Sequence, residues 1–377
     1  MNFLGLQILW ADFGKATAMI LGVAFSTLLM AQQAAIFVCL MANSASHITS
    51  AEDVDIWIAD KRSDYFDDPG ALPAGLVDRV RSVDGVAYAA PFLRRGAIVD
   101  TSAVIEQAIL VGVDGASLLG APQKMLYGDM TSLRSADTFI VDRRGYNDIW
   151  PGEEIAIGRL LEVDGRVLKL VGVADPPSPF ISQPLIYVSL STAALLAGEA
   201  SPSFIVARVK DPAAAPAIAA AIEAATGYSA FDSKAFGQRT IDYYLENTGI
   251  PINFFITILL GFIVGAAIVI QTFFLFVTEN LRHLALFRAM GAESWPLIRM
   301  TLVQCALVAA IGYCLGLAAA AWFFETVPGK VPAFKGFYLP AGVVLKTGAV
   351  VFAVAIFSGL ISIRRAIRLD PAIVLRG

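Results

Sequence analysis

Long apolar runs alternate with polar segments along this chain. Residues 16–41, 252–278, 300–324 and 339–363 are apolar almost throughout, while the interval between the first two has ordinary soluble composition. A helix needs about 20 residues to cross the ~30 Å hydrocarbon core of a bilayer, so each run is long enough to span it. The pattern predicts a polytopic α-helical membrane protein with four transmembrane helices, at 16–42, 251–278, 300–325 and 339–363, and a large extracytoplasmic α/β domain at 43–250, inserted between helices 1 and 2. The fourth span is the shortest, with an uncharged run of 347–363; Lys346 can snorkel its amine to the headgroups and let the span start near Leu339. The uncharged stretch 16–46 is far longer than the roughly 7–15 residues of a secretory-signal core, which favours a retained anchor over cleavage at Ala42-Asn43-Ser44.

Within 43–250, residues 54–58, 86–93 and 107–113 have strand character, and Leu76, Val77 and Val80 have helical spacing ahead of the Asp84-Gly85 turn. Gly165, in Val163-Asp164-Gly165-Arg166-Val167, marks a hairpin that returns along 168–173. Beyond Pro176, Pro177, Pro179 and Pro184 come a strand at 204–209, an Ala-rich helix at 213–225 and a strand near 228–231. This order implies a split α/β unit carrying a β-rich insertion at about 116–200.

Short loops rich in Lys and Arg stay in the cytoplasm. The connection 279–299 carries Arg282, Arg288 and Arg299, and the tail 364–377 carries Arg364, Arg365, Arg368 and Arg376, whereas the loop 326–338 has only Lys330 and Lys335. Both termini and the loop 279–299 are therefore expected in the cytoplasm, with the large domain and the short loop facing outward. Phe3, Leu4, Ile8, Leu9 and Trp10 give residues 1–15 the look of an amphipathic helix on the inner leaflet.

Composition narrows the chemistry. Hydrophobic residues are 57 % and charged residues 16 %, and no basic face suited to nucleic acid is evident. Cys39, Cys305 and Cys314 lie in apolar runs without metal-ligand spacing. The two histidines, His47 and His283, are far apart, and no Gly-x-x-x-x-Gly-Lys phosphate loop occurs. Asp64, Asp67 and Asp68 read as a solvated acidic turn ahead of Pro69-Gly70, and Glu52, Asp53 and Asp55 as charges where the domain begins. The spans hold charged residues only at their ends, which argues against an ion pathway. Gly261 with Gly265, and Gly312 with Gly316, have the four-residue spacing that lets helix backbones approach closely.

The most specific signal lies between the second and third runs. Leu281, Leu284, Leu286 and Phe287 form an apolar stripe on a helix that Gly291 would cap, and a second short helix at 294–299 leads into the third span. Such a stripe needs cover, from the membrane interface or from a partner.

This stretch, Glu279 followed by Leu286-Phe287-Arg288-Ala289-Met290-Gly291-Ala292, resembles the coupling region of the MacB/FtsX-type ABC transporter permeases. The tail 366–376, with Asp370-Pro371-Ala372 and Leu375-Arg376, resembles the family's closing segment, and Val83-Asp84-Gly85-Val86 followed by Ala90-Pro91 resembles the start of its outer domain. Asp55-Ile56-Trp57-Ile58 and the 110–114 strand make the chain most similar to DevC-like glycolipid-exporter permeases, with a departure at Phe287, where isoleucine or leucine is more usual.

The resemblance implies a multi-pass permease subunit in the inner membrane of a bacterium, with its large domain periplasmic or extracellular, that is not itself an enzyme and holds no cofactor. ATP and Mg would be bound by a separate cognate ABC ATPase. It further implies a homodimer, a HlyD-like membrane-fusion adaptor and membrane lipids as partners, with no nucleic acid. Glu279, Leu286, Phe287, Arg288, Ala289, Met290, Gly291, Ala292 and Trp295 would form the ATPase-coupling site, with Arg288 or Glu279 pairing with the ATPase. The implied function is export of a lipid, glycolipid or amphipathic cargo by mechanotransmission. Two alternatives stand beside it: an FtsX-like signal transmitter acting on a cell-wall enzyme, and a haem or peptide detoxification exporter using His47 with Tyr243 or Tyr244.

Overall fold

The computed structural model describes residues 13–101, 105–177, 183–198, 201–279, 293–328 and 336–368, together with Gln7, Leu286, Met290, Lys330, Val331 and Phe334. It divides into two compact units, one formed by residues 1–39 with 249–377 and the other by residues 40–248.

The first unit holds four helices long and apolar enough to cross a membrane: α1 (Phe13–Ser44), α8 (Ile250–Glu279), α9 (Ser294–Thr326) and α10 (Ala341–Arg368). The third begins at Ser294, so the short helix expected at 294–299 is its first turns rather than a separate element. Met19, Val23, Phe273, Val277, Met300, Val308, Val351 and Ala355 bring all four helices into one core. Their other faces expose Phe25, Ile252, Phe255, Leu260, Leu345 and Phe357. A helix apolar on its outer face as well as its inner one is made for lipid.

The second unit is α/β. Four antiparallel strands, β1 (Ile56–Ala59), the first half of β2 (Val86–Asp100), β9 (Phe204–Val209) and β10 (Ser229–Asp232), run in the order β10-β1-β9-β2. Helices α3 (Leu76–Arg81) and α6 (Ala215–Thr226) join them as two βαβ halves and pack Leu76, Val80, Ile218 and Ile222 on one face through Ile56, Ile58 and Ala207. The other face is covered by α2 (Ser46–Ser50) and α7 (Ser233–Asn247) around Trp57, whose ring lies 5.3–6.1 Å from those of Phe66, Phe92, Phe204 and Phe236.

The β-rich part starts at Leu93, upstream of residue 116, because β2 does not stop there. Its second half turns to pair with β3 (Ile105–Val113). From β3 the ladders run to β8 (Leu185–Ser189), β5 (Thr138–Asp142), β7 (Arg166–Ala174) and β6 (Leu160–Val163), and β6 returns to β2, closing a ring; β4 (Met125–Gly128) adds to β7. Asp164 (φ 47°) and Gly165 (φ 81°) make the tight β6–β7 turn, where two left-handed residues match the strand twist. Leu93, Val99, Leu110, Phe139, Leu161, Val163, Leu170 and Ile186 belong to the core of this ring, joined by Tyr146, Ile149 and Trp150 from α4 (Arg143–Ile149) and the residue after it. Helix α5 (Leu190–Ala197) sets Ala193 against Gly112 of β3.

Candidate functional site

Small residues let α1 lie between α8 and α9. A side chain at Gly261 would meet Leu29 of α1 at 3.3 Å, and one at Gly265 would overlap Ser26. On α9, a side chain at Gly312 would meet Val23 at 2.6 Å, and one at Gly316 would meet Thr27 at the same distance. All four spaced glycines therefore face the same helix of their own protomer. Ser26 Oγ donates to the Gly261 carbonyl at 3.2 Å, the kind of interhelical bond that replaces hydrophobic drive inside lipid. On the far side of α8 and α9, α10 is held by Ser358 Oγ donating to the Val269 carbonyl at 3.3 Å and Tyr313 Oη donating to the Val344 carbonyl at 2.7 Å.

The α1–α8 contact is one antiparallel seam. Ascending α1, Lys15 meets Glu279, Gly22 meets Ile268, Ser26 meets Gly265, Leu29 meets Gly261 and the Phe37 ring lies 5.4 Å from that of Phe254. Glu279, the last residue of α8, forms an ion pair with Lys15 in the first turn of α1. Of the other coupling residues, Leu286, Met290 and Trp295 are exposed, and the Met290 N–H donates to the Leu286 carbonyl at 3.0 Å, one helical turn. Phe287, Arg288, Ala289, Gly291 and Ala292 lie outside the described residues, as do Leu281, Leu284 and the tail from residue 369. Of the segment expected as an amphipathic helix, Phe3, Leu4, Ile8, Leu9 and Trp10 also lie outside them.

In the outer domain, residues 64–67 clasp α7, the helix that precedes α8 in the chain. Arg239 Nε donates to the Asp64 carbonyl at 3.0 Å, the Tyr65 ring stacks on Tyr243 at 3.8 Å, the Phe66 N–H donates to Thr240 Oγ1 at 3.3 Å, and Tyr244 Oη donates to Asp67 at 2.7 Å. Positions 239, 240, 243 and 244 form one stripe of a helix. Asp67 also pairs with Arg94, and the two side chains are only 11 % and 8 % exposed. Asp64 and Asp68 are exposed, as expected of a solvated acidic turn, but Asp67 is not, because it supplies the counter-charge to a buried guanidinium.

His47, on α2, is stacked on Phe66 at 5.5 Å. Burial, with Arg94 nearby, pushes its imidazole down to about 3, so it is neutral. Burial and the Asp67 carboxylate raise the Tyr244 phenol well above its usual range. His47 and Tyr244 are therefore engaged inside the fold, while Tyr243 is half-buried and stacks on Tyr65. Asp53 and Asp55 also face inward, accepting from the backbone N–H groups of Gly120 (3.2 Å) and Val209 (2.8 Å). Among the described residues, no His, Cys, Asp and Glu cluster could hold a metal ion.

Comparison with known proteins decides the family. The MacB-like periplasmic core domain profile matches residues 16–225, more than half of the chain, and the FtsX-like permease C-terminal profile matches residues 254–371. The chain belongs to the MacB/FtsX-type ABC permease family. As a member, it is a multi-helix membrane protein with an extracytoplasmic domain.

This family member is 24 % identical over 267 residues to the macrolide export ATP-binding/permease protein MacB of Burkholderia cenocepacia (strain HI2424), covering 67 % of this chain and 38 % of that one. It is 23 % identical over 252 residues to the protein of the same name from Burkholderia lata, covering 63 % and 36 %. The chain thus spans well under half the length of these relatives. The periplasmic region of MacB from Actinobacillus actinomycetemcomitans aligns with 52 % of this chain and 94 % of its own, at 16 % identity and a TM-score of 0.39.

Proposed function

We propose that the chain is the permease subunit of an ABC exporter in a bacterial inner membrane, with both termini in the cytoplasm. A separate ATPase would hold ATP and Mg and supply the free energy. The cargo would be a lipid, glycolipid or other amphipathic molecule, moved on the outer side of the membrane by mechanotransmission. The observation that carries this reading is the antiparallel α1–α8 seam, from Lys15–Glu279 to Phe37–Phe254. At one end α8 leads into residues 280–292, the stretch that resembles an ATPase-coupling region. At the other, α1 is followed in the chain by α2, and α8 is preceded by α7, the helix that residues 64–67 grip.

A push on residues 280–292 would move α8. Because Ser26 and Gly265 are in contact, α1 would travel with it, and interlocked packed helices shift as units rather than bending. Exposed Leu286, Met290 and Trp295 supply an apolar surface for an ATPase to cover. We place a homodimer and a membrane-fusion adaptor in the same assembly. Ile98, Ile105, Leu160 and Val167, exposed on neighbouring strands of the ring, offer the adaptor an apolar patch.

The test is purification of the tagged full chain from its native membranes in mild detergent. An ABC ATPase is expected at near-equal stoichiometry. Recovery of the permease with no nucleotide-binding subunit would contradict the proposal.

A further inference from the structure

We infer that Glu279 is not an ATPase contact but an intramolecular positioning residue, which ties α8 to the start of α1 through Lys15; this rests on the proposed coupling role. Both charges sit where their own helices disfavour them. Lys15 lies in the first turn of α1, at the positive end of that helix dipole, and Glu279 closes α8, at the negative end. Set side by side by the antiparallel seam, each offsets both the other and the dipole end beside it. The ion pair lies further along the seam than the contact of Gly22 with Ile268, beside the start of residues 280–292.

The consequence is directional. Residues 280–292 follow Glu279 directly, so displacement of that stretch reaches α1 at its first turn through the ion pair, as well as through the packed seam further on. Side chains at this pair are 37 % and 48 % exposed, so its strength is modest and salt-sensitive. It sets position rather than stability.

The test uses three forms of the tagged full chain: Lys15→Glu, Glu279→Lys and the exchange of both. Each is purified from native membranes with its ATPase. All three are expected to retain the ATPase at the wild-type level, while ATP turnover of the complex changes by about fivefold in each single variant and returns to within about twofold in the exchange. Loss of the ATPase from Glu279→Lys but not from Lys15→Glu, with no rescue by the exchange, would overturn the inference and make Glu279 an ATPase contact. Wild-type turnover in all three would overturn it as well. Should a single variant fail to accumulate, restored accumulation in the exchange supports the pair and its failure overturns it. If the wild-type chain carries no ATPase, the proposed function fails and the pair is read separately. With Cys39, Cys305 and Cys314 replaced by Ala, Lys15→Cys and Glu279→Cys are expected to cross-link in membranes with a short bismaleimide, and absence of the cross-link refutes the pairing.

Discussion

Replacing Gly265 by Leu will prevent the membrane-spanning unit from packing. The added side chain would occupy the space of Ser26, which is 6 % exposed and donates to the Gly261 carbonyl. Helix α1 cannot retreat, because Gly312 and Gly316 of α9 close its other side against Val23 and Thr27. Overpacking of an enclosed site costs about 1–3 kcal/mol and more where neighbours cannot yield, so a loss of about 3 kcal/mol is expected here. Gly261→Ala is the natural control: its Cβ would sit 3.3 Å from Leu29 Cβ, which needs a shift of only a few tenths of an ångström. Thermal unfolding of the detergent-solubilised full chain separates the two. Gly265→Leu should unfold well below wild type or fail to accumulate, with Gly261→Ala close to wild type. Equal midpoints for Gly265→Leu and wild type would rule out the α1–α8 seam.

Asp67→Ala will have the second large effect, in the outer domain. It removes the counter-ion of Arg94 and the acceptor of Tyr244 Oη in one step. An uncompensated buried guanidinium costs about 3–5 kcal/mol, whereas replacing both members of a buried pair with apolar residues is often close to neutral. Hydrogen exchange on the full chain reads this locally. In Asp67→Ala, amides of α7 should exchange faster, since the Tyr244 bond is lost from the clasp and Arg94 is left buried without its counter-ion. Asp67→Leu with Arg94→Met should recover much of the protection, since it leaves no buried charge unpaired. Unchanged exchange in α7 for Asp67→Ala would show that Asp67 contributes nothing to holding the helix.

The partners in these two predictions explain what could be read from the residues and what could not. The four spans are legible because length and apolarity alone set them, and the β6–β7 hairpin because Asp164-Gly165 carries its own turn chemistry. The spacing of Gly261 with Gly265 and of Gly312 with Gly316 marks close approach, but not which helix approaches. Both pairs face α1, more than two hundred residues away. The strand ring is hidden for a different reason. β2 runs without a break through Leu93 while its partner changes from β9 to β3, so no turn residue announces the boundary. Asp67 looks solvated in the sequence because Arg94 and Tyr244 are brought to it only by tertiary folding. Lys15 and Glu279 are likewise 264 positions apart. Local pattern reveals elements, and it is silent about long-range partners.

The most direct measurement is a lipid inventory of inner-membrane and outer-envelope fractions from cells with and without this gene. Export predicts that the deletion retains one lipid, glycolipid or amphipathic class in the inner membrane and depletes it outside, and that Gly265→Leu behaves as the deletion does. Identical inventories, accompanied by altered cell-wall hydrolysis, would contradict export and make the chain a transmitter of ATPase motion that moves no cargo.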